Sequence, residues 1–223
     1  MKTSVNENGS VAADETRYLS RRCQVMRRLI REHGACGLKP QRRSPFEALV
    51  RAVAHQQLNG TAAESILRRF LALIPGVRFP RPDQLIALSD EALRSAGFSR
   101  GKIKSLRDIA DKTLSGIVPD SRKIRRMSNE EIIERLTEVH GVGRWTVEML
   151  LMFTLGRPDV LPVDDFGVRN GYRIAFGLAE MPAPKEVFAF GERWRPYRTT
   201  ASWYLWRAAD AARQKKPLKG VNA

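Results

Sequence analysis

The sequence predicts an all-α protein of about ten helices, and three observations support this prediction. Three stretches begin with a capping box, in which a Ser or Thr is followed three residues later by a Glu. The three pairs are Ser44 with Glu47, Thr61 with Glu64, and Ser128 with Glu131. Apolar residues recur at helical spacing behind these caps. No stretch alternates convincingly between apolar and polar residues, as a half-buried strand would.

The predicted helices follow one another closely along the chain. Pro45 stands at the first helical position after its cap, whereas Pro75 and Gly76 end the following helix. The segments predicted to be helical are 44–58, 61–76, 81–97 as two short helices, 99–116, 128–139, 144–156, 164–177, a stretch that begins after Pro182 or Pro184, and 197–214. The segment 157–165, RPDVLPVDD, is the one extended segment predicted between them.

The two ends of the chain are polar and are predicted to lie outside the folded domain. Residues 1–18 have no apolar signal core and are expected to form a disordered polar leader. Residues 213–223 are expected to form a basic tail. No stretch approaches the roughly 20 apolar residues of a membrane span, so we expect no membrane partner.

The charge balance is strongly basic, which suggests a polyanionic partner. The chain has 39 Lys and Arg against 24 Asp and Glu, a formal net charge of +15 and a pI of about 10.6. Nucleic acid is the leading candidate, although a merely soluble basic surface would have the same composition. Cys23 and Cys36 are too few for a disulfide scaffold or a four-thiolate iron–sulfur cluster. With so few cysteines we expect a reducing compartment. The three histidines lack metal-ligand spacing, so we expect no metal, and we expect no cofactor.

The stretch HGVGRW at 140–145 is predicted to be a tight turn between two helices. Gly141 and Gly143 are expected to reach positive φ and, having no Cβ, to let the two helices approach closely. The second helix would then present the N–H groups of its first turn to a phosphate. Such backbone contacts are independent of base sequence. An ordinary turn between two helices would contain the same residues.

With its surroundings, this turn resembles the signature of the helix-hairpin-helix DNA glycosylase superfamily. LTEVHGVGRWTVEMLL at 136–151 is followed by LPVDDFGV at 161–168, and the likeness is greatest to the 3-methyladenine DNA glycosylase II branch, which repairs alkylated DNA. FEALVRAVAHQQLNGTAA, AGFSRGKIKSLRDIA and GERWRPYRTTASWYLWR resemble that branch as well. Each motif is weak alone, but together and in this order they are specific.

The resemblance implies a fold and a partner. It implies a two-lobed helical glycosylase fold over residues 19–212, with a middle lobe at about 45–140 and a second lobe formed by the N- and C-terminal helices. The expected partner is double-stranded DNA that contains damaged bases, bound by a monomer. Such an enzyme would be cytoplasmic and associated with the nucleoid in a bacterium, and nuclear in a eukaryote.

The resemblance places a catalytic carboxylate on one of the two aspartates in PVDDFG. Loss of a base from deoxyribose passes through an oxocarbenium-like sugar, which a fixed carboxylate can stabilise while it orients a water molecule. A match to the alkylation-repair branch favours Asp165, whereas a gapless match to branches that read P-V-D would favour Asp164. Either aspartate could also serve only as the N-cap of the next helix.

Trp145 indicates how the base would be bound and released. Superfamily members that also cut the DNA backbone have a lysine nucleophile in the sequence G-V-G-R-K, and Trp145 stands at that position here. We therefore predict a monofunctional glycosylase that uses water and leaves an abasic site. Alkylated purines of the 3-methyladenine or 7-methylguanine type are cationic, and an electron-rich ring attracts them by about 0.5–2 kcal/mol. The resemblance assigns the base pocket to Trp145, Met149, Phe166 and Trp206, although core packing would also explain these residues.

The remaining predicted contacts with DNA are a wedge and a hairpin. The damaged base must leave the stack, and a side chain fills the gap. The resemblance places this wedge in HQQLNG, where Leu58, Asn59 and Gln57 stay open as alternatives. Leu58 could instead be the last core residue of its helix. The hairpin residues predicted to contact DNA are His140, Gly141, Val142, Gly143, Arg144 and Thr146, with Arg100, Lys102 and Lys104 as further candidates.

Two other functions stay open at this point. A non-catalytic hairpin module that binds DNA would keep the glycine turn and the basic surface, but it would not need an aspartate beside aromatic residues. A glycosylase for oxidised or mismatched bases would have the same hairpin. The missing lysine argues against the lyase versions of that enzyme, and the few cysteines argue against its iron–sulfur versions.

Overall fold

A computed structural model describes residues 7–58 and 60–215, and these residues form an all-α protein. Within these ranges the chain has thirteen α-helices, one 3₁₀ helix and no strand. The helices are α1 (Glu7–Arg22), α2 (Gln24–His33), α3 (Pro45–His55), α4 (Gly60–Ala72), α5 (Pro82–Ala87), α6 (Asp90–Ser95), α7 (Arg100–Leu114), α8 (Ser121–Arg126), α9 (Asn129–Thr137), α10 (Arg144–Phe153), α11 (Phe166–Phe176), α12 (Pro184–Gly191), the 3₁₀ helix Glu192–Trp194, and α13 (Arg198–Lys215). The predicted fold class is confirmed, and α1, α2 and α8 are the helices to which the sequence pattern assigned no residues.

Helix α1 corrects the prediction of a disordered leader. It begins at Glu7, so residues 7–18 are helical, and residues 1–6 lie outside the described residues. The last turn of α1 contributes Leu19, which is fully buried in a hydrophobic cluster with Met26 of α2. Tyr18 packs edge-on against Tyr197 with ring centroids 5.3 Å apart. These apolar contacts hold a helix whose other residues are mostly polar.

The chain divides into two compact units. One comprises Met1–Lys39 with Gly156–Ala223, as far as these residues are described, and the other comprises Pro40–Leu155. The second unit extends past the predicted boundary near residue 140, because α10 packs against α9 and α3. The predicted basic tail begins within α13, and its residues after Lys215 lie outside the described ranges. None of the described helices is both long and apolar enough to cross a membrane.

Of the three predicted capping boxes, all in the second unit, the one at α9 forms and those at α3 and α4 differ from the prediction. At the start of α9 both halves form: the Glu131 backbone N–H donates to the Ser128 hydroxyl at 3.3 Å, and Glu131 accepts from the Ser128 N–H at 2.6 Å. At α4 the predicted cap is wrong. This helix begins at Gly60, so Thr61 lies inside its first turn.

The third capping box, at the start of α3, is only half formed. The Ser44 hydroxyl accepts from the Glu47 N–H at 3.1 Å, as a cap does. The Glu47 carboxylate is buried and accepts from Arg51 Nε at 3.0 Å and Arg78 Nη2 at 2.9 Å instead. A buried carboxylate requires partners that compensate its charge, and the two arginines satisfy this requirement better than one backbone N–H.

In the first unit, α11 and α13 pack with their backbones in direct contact. A Cβ at Gly171 would lie 1.9 Å from the Leu205 carbonyl oxygen, so only glycine fits at this crossing. Gly177 ends α11 in the left-handed region at φ +67°. The WRPYR stretch that leads into α13 is largely structural, because Trp194 is fully buried and Arg198, the first residue of α13, pairs with Asp159 at 2.6 Å.

Candidate active site and nucleic-acid interface

The hairpin between α9 and α10 requires glycine at one position for two reasons. Gly141 has φ +77°, and a Cβ there would lie 2.3 Å from the Ser105 hydroxyl oxygen. Gly143 differs from the prediction of positive φ at both glycines, since its φ is −95° and its ψ is 171°. It is the N-cap residue of α10 and has no side chain to cap the N–H groups of the first turn. Gly141 and Gly143 are exposed, whereas Val142 between them is buried and anchors the turn.

Side chains from α7 and from the end of α3 hold this hairpin. The His140 N–H donates to Asp108 Oδ2 at 2.6 Å, and the His140 Nδ1 lies 3.2 Å from the Ser105 hydroxyl. Gln56 Nε2 donates to the Gly141 carbonyl at 2.9 Å. Burial acts to raise the pKa of Asp108, but the hydrogen bonds from the His140 N–H and the Lys112 ammonium outweigh it and lower that pKa. The hairpin is therefore held by hydrogen bonds on the side that packs against α7 and the end of α3.

Two of the predicted hairpin contacts have restricted side chains. Arg144 Nη2 lies 3.1 Å from Glu130 Oε1, and Arg144 Nε lies 3.2 Å from Glu148 Oε1. Burial acts to lower the pKa of Arg144, but these two carboxylates raise it, so the guanidinium is already compensated. The Thr146 side chain is buried, which leaves only its backbone N–H as a group that could meet a phosphate.

The other predicted cationic contacts lie near the start of α7. Lys102 Nζ donates to the Ala54 carbonyl at 2.9 Å, and burial lowers its pKa. Arg100 and Lys104 are exposed. These two are therefore better placed than Lys102 to contact a polyanion.

Trp145 and Met149 line a cavity in the second unit. The cavity has a volume of about 690 Å³, within the roughly 300–1,000 Å³ typical of small-molecule sites. Trp145 is 44% exposed, so core packing does not explain this tryptophan. The other walls of the cavity include Leu150 and Phe153 of α10 and Gln57 from the turn after α3. An exposed indole, a thioether and the apolar side chains of α10 suit a flat, polarisable ligand, and Arg43 and Arg51 also line the cavity.

The predicted wedge lies in the turn between α3 and α4. Gln57 has φ +57°, a conformation that is uncommon for residues other than glycine. Leu58 is 41% exposed, so it is not the last core residue of its helix. Asn59 lies outside the described residues. The turn therefore presents Leu58 at the surface, directly after a residue in an uncommon backbone conformation.

Asp165 is the N-cap of α11 in the first unit. Its Oδ1 accepts from the Val168 backbone N–H at 2.7 Å and from the indole Nε1 of Trp206 at 2.8 Å. Asp165 is half-buried, whereas Asp164 is exposed. Phe166 follows as the first residue of α11 and is 66% exposed, so core packing does not explain this phenylalanine.

The structure thus groups the predicted residues into two sets. Asp165, Phe166 and Trp206 belong to the first unit, where the aspartate and Trp206 are in direct contact. The hairpin, the wedge turn and the cavity with Trp145 and Met149 belong to the second unit. Among the described residues, no group of three or more His, Cys, Asp or Glu side chains could hold a metal ion.

Sequence reasoning missed several residues that shape these sites. A Cβ at Gly167 would lie 2.8 Å from Trp206 Cδ1 and 3.0 Å from Asp165 Oδ1, so this glycine leaves room for the hydrogen bond between Trp206 and Asp165. A glycine inside the first turn of a helix, two residues after an N-cap aspartate, was the signal available in the sequence. Gln56 and Asp108, which hold the hairpin, gave no comparable signal.

Comparison with known proteins identifies the family. Residues 50–196 match the model of the HhH-GPD superfamily of base excision DNA repair proteins. DNA-3-methyladenine glycosylase 1 of Schizosaccharomyces pombe is 45% identical over 179 residues, which cover 80% of this chain and 78% of that protein.

Solved structures agree with this match. A 3-methyladenine DNA glycosylase of S. pombe, in complex with abasic DNA, superposes with a TM-score of 0.79 at 43% identity and covers 87% of this chain and 95% of its own. A DNA-3-methyladenine glycosidase of Bacillus halodurans superposes with a TM-score of 0.77 at 35% identity and covers 96% and 94%. This chain therefore belongs to the HhH-GPD superfamily of base excision DNA repair proteins.

Proposed function

We propose that this protein is a monofunctional DNA glycosylase that removes alkylated purines from double-stranded DNA. The single observation that carries the proposal is the fixed carboxylate of Asp165, held at the start of α11 by two N–H donors on one oxygen. The relatives named above, whose names or titles state action on 3-methyladenine in DNA, support this substrate class.

Asp165 would stabilise the sugar as the base departs. The bond between the base and C1′ breaks with positive charge developing on the sugar, and a preorganised carboxylate lowers the energy of that charge. A water molecule then adds to C1′ and loses a proton, so the products are a free base and an abasic site. Half-buried Asp165 fits this role better than exposed Asp164, because a fixed carboxylate needs no reorganisation as the charge develops.

The cavity beside Trp145 would receive the base. A 3-methyladenine or 7-methylguanine carries a positive charge in DNA, which favours contact with an electron-rich indole. The same charge makes the base a good leaving group, so the reaction needs no strong general acid. An aromatic residue, rather than an amine, also stands where lyase members of the superfamily have a lysine, so no Schiff base forms at that position.

The hairpin and the wedge turn would hold and open the duplex. The exposed backbone at Gly141 and Gly143 and the start of α10 suit a phosphate group, and contacts of this kind do not depend on base sequence. Leu58 would enter the stack when the damaged base leaves it. The net charge of +15 favours binding to DNA, and the affinity should fall strongly as the salt concentration rises.

The test uses duplex DNA methylated at purines, with matched duplexes that are undamaged or oxidised. We expect methylated bases to be released, and strand breaks to form only after heating in alkali. Strand breaks without alkali would reject the monofunctional mechanism, and equal release from methylated and oxidised duplexes would reject the substrate class. Tight DNA binding without base release from any duplex would favour a non-catalytic hairpin module.

Trp145 allows a sharper test of the base pocket. Trp145→Ala should reduce excision more than it reduces affinity for abasic duplex DNA, because the indole would contact the base rather than the backbone. Trp145→Phe should retain a large part of the activity, since it keeps an aromatic face. Equal losses of excision and of abasic-DNA affinity would contradict a pocket role for Trp145.

A further inference from the structure

The indole of Trp206 contacts Asp165 through its edge. Its Nε1–H donates to Asp165 Oδ1 at 2.8 Å, and the Val168 backbone N–H donates to the same oxygen at 2.7 Å. One donor comes from α13 and the other from the first turn of α11. Two donors that converge on one oxygen fix the plane of a carboxylate, and hydrogen bonds to a charged group are stronger than neutral ones.

The space around this hydrogen bond is closely fitted. A Cβ at Gly167 would lie 2.8 Å from Trp206 Cδ1 and 3.0 Å from Nε1, so the indole could not stay in place beside an alanine. One turn further along α11, a Cβ at Gly171 would lie 1.9 Å from the Leu205 carbonyl, one residue before Trp206. Gly171 therefore lets α13 approach α11, and Gly167 lets the indole reach the carboxylate.

From this geometry we propose that Trp206 is a positioning residue for Asp165, acting through its indole N–H, with Gly167 as the clearance that permits the contact. The proposal rests on the function proposed above, in which Asp165 stabilises the sugar. It differs from the role expected from sequence, where Trp206 would stack against the base by its ring face. The edge sets the orientation of the carboxylate whether or not the ring face also touches a base.

The first test detects the hydrogen bond without any DNA. The chain has four tryptophans, so a protein labelled with ¹⁵N-tryptophan gives four indole N–H resonances, and the one lost in Trp206→Phe belongs to Trp206. In Asp165→Ser, which keeps a capping oxygen on a shorter side chain, this resonance should move upfield while the other three stay in place. An unmoved Trp206 resonance would overturn the proposal, even if the enzyme is fully active.

The second test separates the N–H from the ring by single-turnover excision of a methylated base. Trp206→Phe keeps an aromatic face but has no donor, and we expect its excision rate to fall roughly 10- to 100-fold, the size expected for one hydrogen bond to a charged group. Affinity for abasic duplex DNA should stay within about twofold, because binding draws on backbone contacts elsewhere. The matched control is Trp203→Phe, the same substitution on the same helix, which should leave excision unchanged.

A third variant keeps all the reacting side chains. Gly167→Ala displaces the indole and should lower the excision rate and move the Trp206 indole resonance together. If Trp206→Phe and Gly167→Ala both excise at the wild-type rate while Trp206→Ala does not, the ring face alone matters and the positioning role is wrong. If the wild-type protein releases no base at all, the proposed function fails, and the indole resonances still report whether the contact exists.

Discussion

Gly171→Ala perturbs the point where the two helices carrying Asp165 and Trp206 cross. The added Cβ would lie 1.9 Å from the Leu205 carbonyl oxygen, 2.5 Å from its carbon and 3.0 Å from its Cα. All three atoms are backbone, so no side chain can rotate to relieve the contact. A carbon–oxygen contact of about 3.3 Å would require the two backbones to separate by about 1.4 Å.

The expected loss of stability follows from this displacement. A gap of 0.5–1 Å already forfeits about a quarter to a half of the dispersion attraction between facing atoms. The buried residues along this crossing include Val168 and Tyr172 on α11 and Ala201 and Ala208 on α13. Overpacking of this kind costs about 3 kcal/mol, against which alanine regains about 1 kcal/mol of helix propensity. We expect a net loss of about 2 kcal/mol, which lowers Tm by about 4–8 °C for a chain of this size.

Thermal unfolding followed by circular dichroism measures this loss, with Gly101→Ala as the control. Gly101 is also helical, but a Cβ there meets no atom within 4 Å, so its substitution should leave Tm unchanged or raise it. If Gly171→Ala behaves like Gly101→Ala, the close approach of α11 and α13 does not exist in solution. The spacing on which the contact between Asp165 and Trp206 depends would then be wrong.

Three further predictions concern the hairpin. Gly141→Ala should lose about 2–3 kcal/mol of stability, from the left-handed φ and from the contact with the Ser105 hydroxyl, and a second Ser105→Ala substitution should restore only the contact part, measured by urea unfolding. Gln56→Ala removes the hydrogen bond to the Gly141 carbonyl, so affinity for abasic duplex DNA should fall several-fold while stability falls by no more than about 1 kcal/mol. A wild-type affinity would contradict a role for this hydrogen bond in holding the hairpin for DNA binding. Because the pKa of Asp108 is lowered in the folded protein, its contribution to stability is present above about pH 4–5 and is lost as the pH falls further. The fall in Tm between about pH 7 and pH 3 should therefore be smaller for Asp108→Asn than for the wild-type protein.

Most of the helices could be predicted from the sequence because their signals are local. Ser44 and Ser128 cap helices three residues before a Glu, and the apolar stripes behind them are clear. Helix α2 was missed because Cys23 at its N-cap makes no side-chain capping bond, so the helix depends on burial of Met26 and Leu29 rather than on a start signal. Such burial comes from tertiary packing, which a single sequence does not display.

In the candidate site, too, the local patterns could be predicted from the sequence, whereas the contacts between distant residues could not. The glycine turn and the adjacent aspartates are local patterns, and both were found. The bond from Trp206 to Asp165 joins residues 41 apart, and the bond from Gln56 to Gly141 joins residues 85 apart. Each depends on how distant segments pack together, so the family resemblance could identify Asp165 and Trp206 but not the bond between them, and it did not identify Gln56. The extended φ of Gly143 was missed for a different reason, since a glycine permits positive φ without requiring it.

The role of the Asp165 carboxylate is tested most directly by single-turnover release of a methylated base from duplex DNA by Asp165→Asn. Asparagine is a good N-cap and nearly isosteric, so α11 should remain intact, and circular dichroism with abasic-DNA binding checks this. We predict that the excision rate falls by about 10²–10³-fold while abasic-DNA affinity is retained. Excision by Asp165→Asn at the wild-type rate, or an equal loss confined to Asp164→Asn, would contradict the assignment.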